Sequence, residues 1–224
     1  MTPGSRALLI FPCNGNGVEA LDCLGGSYHC VGFVDDTPAK QGTVTHGIVV
    51  LPRRALAEQP ETAVLAVPGS PVSYRARRDL IRGLGVPATR YARVVHPAAR
   101  VSPIARLGQN VLIMAGVVIT ANAVIGDHVC VLPNTVIHHD AVIGDWSLIG
   151  SNVTIAGGVV IEENAYIGSG ASIMNGVRVG AGSLVGIGSN VIRNVAAGVT
   201  VAGNPARPIG SETTRETGRS ETGR

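Results

Sequence analysis

Two adjacent histidines followed by an aspartate, His138, His139 and Asp140, have the clearest chemical potential in the chain. An imidazole titrates near neutral pH, so it can act as a general base. The three residues lie within a regular repeat, at outward and turn positions. Asp140 stands where the other repeats favour Gly or Asn, and such departures from a local pattern concentrate at functional sites. The sequence therefore predicts proton-transfer chemistry at this turn.

A glycine loop near the start of the chain has the second chemical pattern. Gly15, Gly17 and Ala20 fit the spacing G-x-G-x-x-A directly after an apolar run, and Asp35 follows Gly15 by twenty residues. In dinucleotide-binding folds, such glycines let backbone N–H groups approach a phosphate at a helix N-terminus, and an acid at this distance binds the ribose. The pattern predicts a nucleotide site.

The elements around this loop predict a small α/β domain of the βαβαβ type. Its strands are expected at 7–11, 30–34, 63–67 and 91–95, and its helices at 18–24 and 72–84. This is half of a dinucleotide-binding fold, with no second half for NAD. A mononucleotide ligand is therefore favoured over NAD, and a glycine turn that serves only the fold stays open.

The His138-His139-Asp140 segment belongs to a six-residue repeat. Beginning at Val101 and ending at Val191, every sixth residue is Val, Leu or Ile, sixteen times without a break. The residue four positions later is small or β-branched, and the residue three positions later is Gly or Asn in twelve of the sixteen hexads. Gly and Asn tolerate positive φ, which a sharp turn requires. Three such hexads close one triangular coil of a β-helix, so the sequence predicts about five coils.

Composition agrees with this architecture. The 224 residues include 30 glycines and only seven aromatic residues, although 45% of the chain is hydrophobic. Glycines would turn the corners of a coil whose interior is too narrow for rings. Two of the aromatic residues lie in the repeat, and Trp146 is expected to line a groove between subunits.

Several classes of function are disfavoured. The net charge of +3 and the absence of a basic stripe disfavour nucleic-acid binding. No apolar run approaches the roughly 18 residues that a membrane helix needs. The four cysteines form neither a C-x-x-C pair nor a zinc spacing, which favours a reducing, cytoplasmic location.

The repeat resembles that of the hexapeptide-repeat acyltransferases, which implies a left-handed parallel β-helix. The whole chain resembles one subfamily, the bacterial sugar acyltransferases that acetylate UDP-4-amino-sugars, GDP-perosamine or sialic acid. The matching motifs are the glycine loop, Phe33-Val34-Asp35-Asp36, His96-Pro97 and His139-Asp140. The domains implied are a Rossmann-like nucleotide-sugar-binding domain at 1–96, a β-helix at 97–209 and a disordered, low-complexity tail at 210–224.

The resemblance implies an acetyl-CoA-dependent N-acetyltransferase that acts on a UDP-, dTDP- or GDP-linked amino sugar in polysaccharide biosynthesis, without a metal. It places the general base on His139, with Asp140 orienting the ring. It implies a homotrimer with active sites between subunits. The nucleotide-sugar contacts implied are Asn14, Gly15, Asn16, Gly17, Asp35, Asp36, Pro68 and His138.

The resemblance also implies a path for CoA along the β-helix. Gly157 is the candidate oxyanion donor, one coil after His139, and Gly168, Ser169, Ile187, Gly188 and Arg207 are the further candidate contacts. Two positions depart from the subfamily pattern. Asn16 replaces the usual histidine of the glycine loop, and Leu148 lies where related enzymes often carry another histidine.

Three alternatives remain at this stage. The closest is a sugar O-acetyltransferase of the sialic acid type, because the sequence does not distinguish an amine acceptor from a hydroxyl. A non-catalytic nucleotide-binding scaffold would have the same fold. A metal enzyme similar to the γ-type carbonic anhydrases is disfavoured, because the chain has no pair of histidines with the required spacing.

Overall fold

The computed structural model describes residues 4–209. The N-terminal sheet contains five strands in the spatial order β3-β4-β2-β1-β5. Strands β1, β2, β4 and β5 are parallel to their neighbours, whereas β3 pairs antiparallel with β4. The strand bounds are β1 Arg6–Phe11, β2 Tyr28–Val34, β3 Val44–Thr45, β4 Ile48–Leu51 and β5 Ala63–Ala66.

The helices beside this sheet are short. The first predicted helix begins at Gly15 rather than at residue 18, because the side chain of Asn14 caps it. It continues as a 3₁₀ turn at Ala20–Cys23, and α3 is preceded by a 3₁₀ turn at Tyr74–Ala76. The sequence pattern did not predict the β3–β4 hairpin or α2. The helix bounds are α1 Gly15–Glu19, α2 Ala55–Glu58 and α3 Arg77–Arg82.

The hexads form a parallel β-helix with three faces, as predicted. Face 1 contains β6 Arg93–Val95, β9 Val111–Ile113, β12 Cys130–Val131, β15 Leu148–Ile149, β18 Tyr166–Ile167, β21 Leu184–Val185, β23 Thr200–Gly203 and β24 Ala206–Pro208. Face 2 contains β7 Arg100–Val101, β10 Val118–Ile119, β13 Val136–Ile137, β16 Thr154–Ile155, β19 Ser172–Ile173 and β22 Asn190–Val191. Face 3 contains β8 Arg106–Leu107, β11 Val124–Ile125, β14 Val142–Ile143, β17 Val160–Ile161 and β20 Arg178–Val179.

The register within each face confirms the period of the coil. Ile119 lies opposite Ile137, and Ile137 lies opposite Ile155, so aliphatic side chains stack 18 residues apart. They form one buried apolar column from Val111 to Val201. Fourteen of the sixteen turn positions, all except Ile104 and Asn194, adopt the expected left-handed conformation, and even His128, Asp140 and Trp146 have φ of 61°, 58° and 68°.

The strand predicted at 91–95 does not complete the N-terminal sheet. Strand β6 pairs in parallel with β9 and so belongs to face 1 of the β-helix. Val95 lies six residues before Val101 and continues the hexad register, which explains this pairing. Only a single bridge, between Val64 and Tyr91, connects this segment to the N-terminal sheet.

The N-terminal sheet packs on face 1 and on the corner between faces 3 and 1. The prediction that Trp146 lines a groove between subunits is wrong, because its side chain is buried in this packing. Its ring stacks on His128 with centroids 3.9 Å apart, and the guanidinium of Arg82 lies 5.5 Å from the indole. Burial, together with the nearby Arg77, lowers the pKa of His128 to about 4, so this imidazole is neutral at physiological pH.

Asn110 fixes the edge of the N-terminal sheet to the same corner. Its side-chain oxygen accepts from the Ala66 N–H at 2.7 Å, and its amide donates to the Ala66 carbonyl at 2.8 Å. The residue is fully buried and has φ of 53°. Its carboxamide therefore takes the place of a further strand beside β5.

Asn110→Gly is expected to lower the free energy of unfolding by about 3 kcal/mol, since three hydrogen bonds, two to Ala66 and one to the His128 ring, are lost at about 1 kcal/mol each. Glycine keeps the positive φ without strain. Denaturant unfolding measures the change. The matched control is Asn134→Gly, at an exposed turn with φ of 61°, where we expect a loss below about 0.5 kcal/mol. Equal losses in both variants would contradict the docking role.

No helix in the described part of the chain is long and apolar enough to cross a membrane. The predicted tail at 210–224 lies outside the described residues.

Candidate functional site

His139 and Asp140 form a hydrogen-bonded unit at the corner between faces 2 and 3. The Nδ1 atom of His139 lies 2.8 Å from Oδ2 of Asp140. Asp140 adopts the turn conformation with φ of 58°, which directs its carboxylate back towards the histidine of the same coil. The carboxylate partner favours the tautomer with the proton on Nδ1, so the lone pair lies on Nε2. Both side chains are more than half exposed.

The carboxylate of Asp140 is held in its charged form. Its hydrogen bond with His139 and a second one from the amide of Asn122 place the pKa of Asp140 below its ordinary value. The Nδ2 atom of Asn122 donates to Oδ1 of Asp140 at 3.0 Å. Each carboxylate oxygen therefore has one partner, which fixes the plane of the group.

The ring of His139 lies directly over Gly157 of the next coil. A Cβ atom at residue 157 would lie 2.7 Å from both Cε1 and Nε2 of the imidazole. Only glycine leaves room for the ring in this position. The two coils are joined here by a hydrogen bond from the Gly158 N–H to the His139 carbonyl, at 3.0 Å. His138 is exposed beside this unit.

The glycine loop is built around a capped helix N-terminus. The Asn14 side chain accepts from the Gly17 N–H at 2.9 Å, and its carbonyl accepts from the Val18 N–H at 2.9 Å. A side chain at Gly17 would collide with the Pro12 carbonyl, so this position requires glycine. The amide of Asn16 reaches across to the Val67 carbonyl at 3.4 Å. The loop thus has a defined conformation.

Asp35 fixes the conformation of this loop through buried hydrogen bonds. Its buried carboxylate accepts from the N–H groups of Cys13 and Thr37 and from Nζ of Lys40, at 3.1, 2.9 and 3.0 Å. Burial raises the pKa of Asp35, but the hydrogen bonds from Thr37 and Lys40 outweigh it, and the pKa falls below its usual value. Asp36 is exposed and pairs with Arg53.

A cavity of about 180 Å³ lies between the glycine loop and face 1. Strands β1 and β5 are neighbours, but the chain leaves β1 towards β2 and returns to β5 on the other side. Ligands of open parallel sheets bind at such a switch point, beyond the carboxyl ends of the strands. The cavity lies there, lined by Asn16, Gly69, Ser70, Pro71, Leu132, Leu148, Ile149, Gly150 and Tyr166. The two departures from the subfamily pattern, Asn16 and Leu148, therefore meet in one cavity.

A buried arginine supports the wall of this cavity. Arg77 is 1% exposed and donates to the carbonyl of Pro68 and to that of His128, the latter at 2.7 Å. Burial lowers its pKa to about 10, so the guanidinium stays charged at neutral pH. The arginine joins the loop after β5 to the β-helix.

The remaining candidate CoA contacts lie away from His139. Ser169 and Gly188 lie at the corner between faces 1 and 2, where the Gly188 N–H donates to the Ser169 carbonyl at 2.9 Å. Gly168 packs against the backbone of Ile187, whose side chain is 79% exposed. Arg207 is exposed in the last strand. One chain thus brings together His139, Asp140 and Gly157, but leaves the other predicted contacts on different edges of the β-helix.

The sequence analysis did not identify five residues that shape the His139 site and the glycine loop with its cavity: Asn122, Lys40, Arg77, Leu132 and Tyr166. Asn122 could have been found from the repeat, since it precedes Asp140 by 18 residues, which is one coil. Lys40 contacts Asp35 and the Cys13 carbonyl within the N-terminal domain, whereas Arg77, Leu132 and Tyr166 come into place only when the N-terminal sheet packs on face 1. Among residues 4–209, no three His, Cys, Asp or Glu side chains converge to hold a metal ion.

Comparisons with known proteins agree with this architecture. The family "Bacterial transferase hexapeptide (six repeats)" matches residues 104–139 and 122–157. No curated protein sequence matches the chain significantly. Among solved structures, the acetyltransferase domain of PglB from Neisseria gonorrhoeae FA1090 is 30% identical with a TM-score of 0.80, and the match covers 92% of this chain and 100% of that one.

Two further structures extend the similarity. PerB from Caulobacter crescentus, in complex with CoA and GDP-perosamine, is 30% identical with a TM-score of 0.81, over 92% of this chain and 98% of that one. WeeI from Acinetobacter baumannii AYE is 26% identical with a TM-score of 0.77, over 92% and 100%. Each of these matches extends over 92% of the chain and therefore over most of both the N-terminal domain and the β-helix. The chain therefore belongs to the bacterial sugar acyltransferases of the hexapeptide-repeat, left-handed β-helix family.

Proposed function

We propose that the protein transfers an acetyl group from acetyl-CoA to the amine of a nucleotide-linked sugar, a UDP-, dTDP- or GDP-4-amino-4,6-dideoxy sugar, in surface polysaccharide or glycan biosynthesis. The observation that carries the proposal is the His139–Asp140 pair, with the Nε2 atom open above Gly157. Family membership and the CoA and GDP-perosamine of the PerB structure support it. We expect a cytoplasmic enzyme.

His139 is the general base of the proposed reaction. The amine nitrogen forms a bond to the thioester carbonyl carbon, and Nε2 of His139 accepts the amine proton. The C–S bond of the tetrahedral intermediate then breaks, and the proton passes from His139 to the departing CoA thiolate. Asp140 stabilises the imidazolium formed between the two proton transfers. No acyl-enzyme is formed.

Gly157 is the proposed oxyanion donor. Within the described residues its N–H donates no hydrogen bond, although the residue is buried beside the His139 ring. A backbone N–H aimed at the position of the developing oxyanion stabilises it without reorganisation.

The N-terminal domain, predicted at 1–96 but ending before β6, is the proposed holder of the nucleotide sugar, as a Rossmann-like unit. The N–H groups at the start of α1 and the loop residues Asn14, Gly15, Asn16 and Gly17 would meet the phosphates. The cavity beyond β1 and β5 would receive the sugar. Asp36 follows β2 and Pro68 follows β5, so both lie at the carboxyl edge of the sheet, whereas Asp35 contributes by fixing the loop conformation.

Two copies of the chain are proposed to complete one active site. The glycine loop, the cavity and the candidate CoA contacts Gly168, Ser169, Ile187 and Gly188 lie on face 1 or at its corner with face 2. His139 and Gly157 lie at the opposite edge of face 2. In a homotrimer, the corner between faces 1 and 2 of one subunit would meet the corner between faces 2 and 3 of its neighbour. His138 could contact the sugar there. Arg207 would meet the CoA phosphates.

A thermal-shift panel of nucleotides tests this assignment. UDP, dTDP or GDP at about a hundredfold excess over its Kd is expected to raise Tm by roughly 5 °C, because ligand binding to the folded state adds about 2.7 kcal/mol. The preferred nucleotide then identifies which 4-amino sugar to assay, and mass spectrometry detects its acetylation in the presence of acetyl-CoA. If no nucleotide or nucleotide sugar shifts Tm and no acetylated product forms, the proposal is wrong.

A further inference from the structure

Asn122 is connected to the candidate base through the carboxylate between them. Its amide donates to Oδ1 of Asp140 at 3.0 Å, and Oδ2 of Asp140 lies 2.8 Å from Nδ1 of His139. The three side chains thus form one continuous hydrogen-bonded series. The series ends with the imidazole ring of His139 over Gly157. A side chain at residue 157 would displace this ring.

The backbone of the β-helix places Asn122 opposite Asp140. The two residues lie 18 positions apart in successive coils, and both have φ of 58°. The Asp140 N–H donates to the carbonyl of Ala121 at 3.0 Å, which ties the two turns together. The next residue in the same column is Gly158, which carries no side chain. The carboxylate therefore receives support from the preceding coil alone.

The geometry points to Asn122 as a positioning residue: we propose that it holds the Asp140 carboxylate in the orientation that fixes the ring and tautomer of His139. The inference rests on the proposed function in that it takes His139 as the base. A free aspartate rotates about χ1 and χ2 and would lose its alignment with Nδ1. The amide of Asn122 restricts that rotation through the second oxygen.

Few other ionisable groups lie near this corner. The corner segments of the two neighbouring coils, residues 118–125 and 154–161, contain no titratable side chain, and residues 136–143 contain only His138, His139 and Asp140. The next charged residues along the same corner are Arg100 and Arg106 one coil further back, and Arg178 one coil further on. A change at residue 122 should therefore act on His139 through Asp140.

NMR titration of ¹³C-labelled histidine tests the inference without reference to activity. The signal of His139 is identified by its loss in the His139→Ala variant. We expect Asn122→Gly to change the tautomer ratio of the ring, because the Asp140 carboxylate is released. If Asn122→Gly alters the His139 signal no more than Asn152→Gly does, Asn122 has no positioning role.

Asn152 supplies the matched controls, since it is exposed at another corner with φ of 54°. Once the substrate is identified, we expect Asn122→Gly to lower kcat about tenfold with little change in KM or Tm, and Asn152→Gly to retain wild-type kcat. In the His139→Ala background, Asn122→Gly should have no further effect. A wild-type chain without acetyltransferase activity would refute the proposed function, whereas an active wild type with unchanged Asn122→Gly kinetics would refute this inference alone.

Discussion

His139→Ala is expected to lower kcat for acetyl transfer about a thousandfold, because a positioned general base contributes on the order of 10²–10⁴ to the rate. The imidazole is more than half exposed and packs over Gly157, so its removal leaves the aliphatic column of the β-helix intact. Tm and the affinity for CoA should therefore stay close to those of the wild type. Steady-state kinetics and thermal unfolding of the same preparation measure both effects.

His138→Ala is the comparison that separates the two adjacent histidines. His138 is also exposed, but it is not bonded to Asp140, and a role in sugar contact would raise KM more than it lowers kcat. We expect its kcat to stay within about tenfold of the wild-type value. If His139→Ala retains more than about a tenth of the wild-type kcat, the assignment of the base is wrong.

The β-helix could be predicted almost completely because its rules are local. Each coil needs an aliphatic residue inside and a residue with positive φ at each turn, and both requirements recur at fixed spacing in the sequence. Asn134 and Asn152 follow this rule and have φ of 61° and 54°. Even β6, which was predicted as part of the N-terminal sheet, follows the hexad register through Val95.

The sequence alone could not show which exceptions to the repeat pack against the N-terminal domain and which belong to the candidate site. His128, Asp140 and Trp146 all replace the usual Gly or Asn at a turn. His128 and Trp146 lie at the corner that packs against the N-terminal domain, where they stack on each other and contact Tyr91 and Arg82. Asp140 lies at a different corner and pairs with His139. Which corner meets the other domain depends on tertiary packing, so local pattern alone could not separate docking residues from site residues.

The cavity beside the glycine loop was hidden for the same reason. Asn16 and Gly69 come from two loops of the N-terminal sheet, whereas Leu132, Leu148 and Tyr166 come from three coils of the β-helix. Motif spacing located the glycine loop, which forms one wall of the cavity. The opposite wall of the cavity depends on how face 1 packs against the N-terminal sheet. The prediction of Asp35 as a ribose ligand likewise could not anticipate that Lys40 and two backbone N–H groups would occupy its carboxylate.

Gly157→Ala should have the second largest effect, a loss of about 10² in kcat. The added Cβ would lie 2.7 Å from both Cε1 and Nε2 of His139, well inside contact distance, so the ring must move. A displacement of about 1 Å at a catalytic group costs roughly a hundredfold in rate. Alanine keeps the N–H of residue 157, so the loss cannot be assigned to a missing oxyanion donor.

The fold should tolerate this change. The three heavy atoms nearest to the new Cβ all belong to the His139 ring, and residue 157 is not among those with positive φ. We therefore expect Tm to stay within about 2 °C of the wild type. Gly176→Asn, one coil further on at a turn with φ of 69° and open space around it, is the control and should keep its kcat.

Combination with His139→Ala shows whether the two residues act together. If alanine at residue 157 acts by displacing the imidazole, it has nothing left to displace once the ring is absent, and the double variant should have the same kcat as His139→Ala. A crystal structure of Gly157→Ala should show the ring rotated away from its position over residue 157. A kcat within threefold of the wild type, or losses that multiply in the double variant, would mean that the ring does not act from this position.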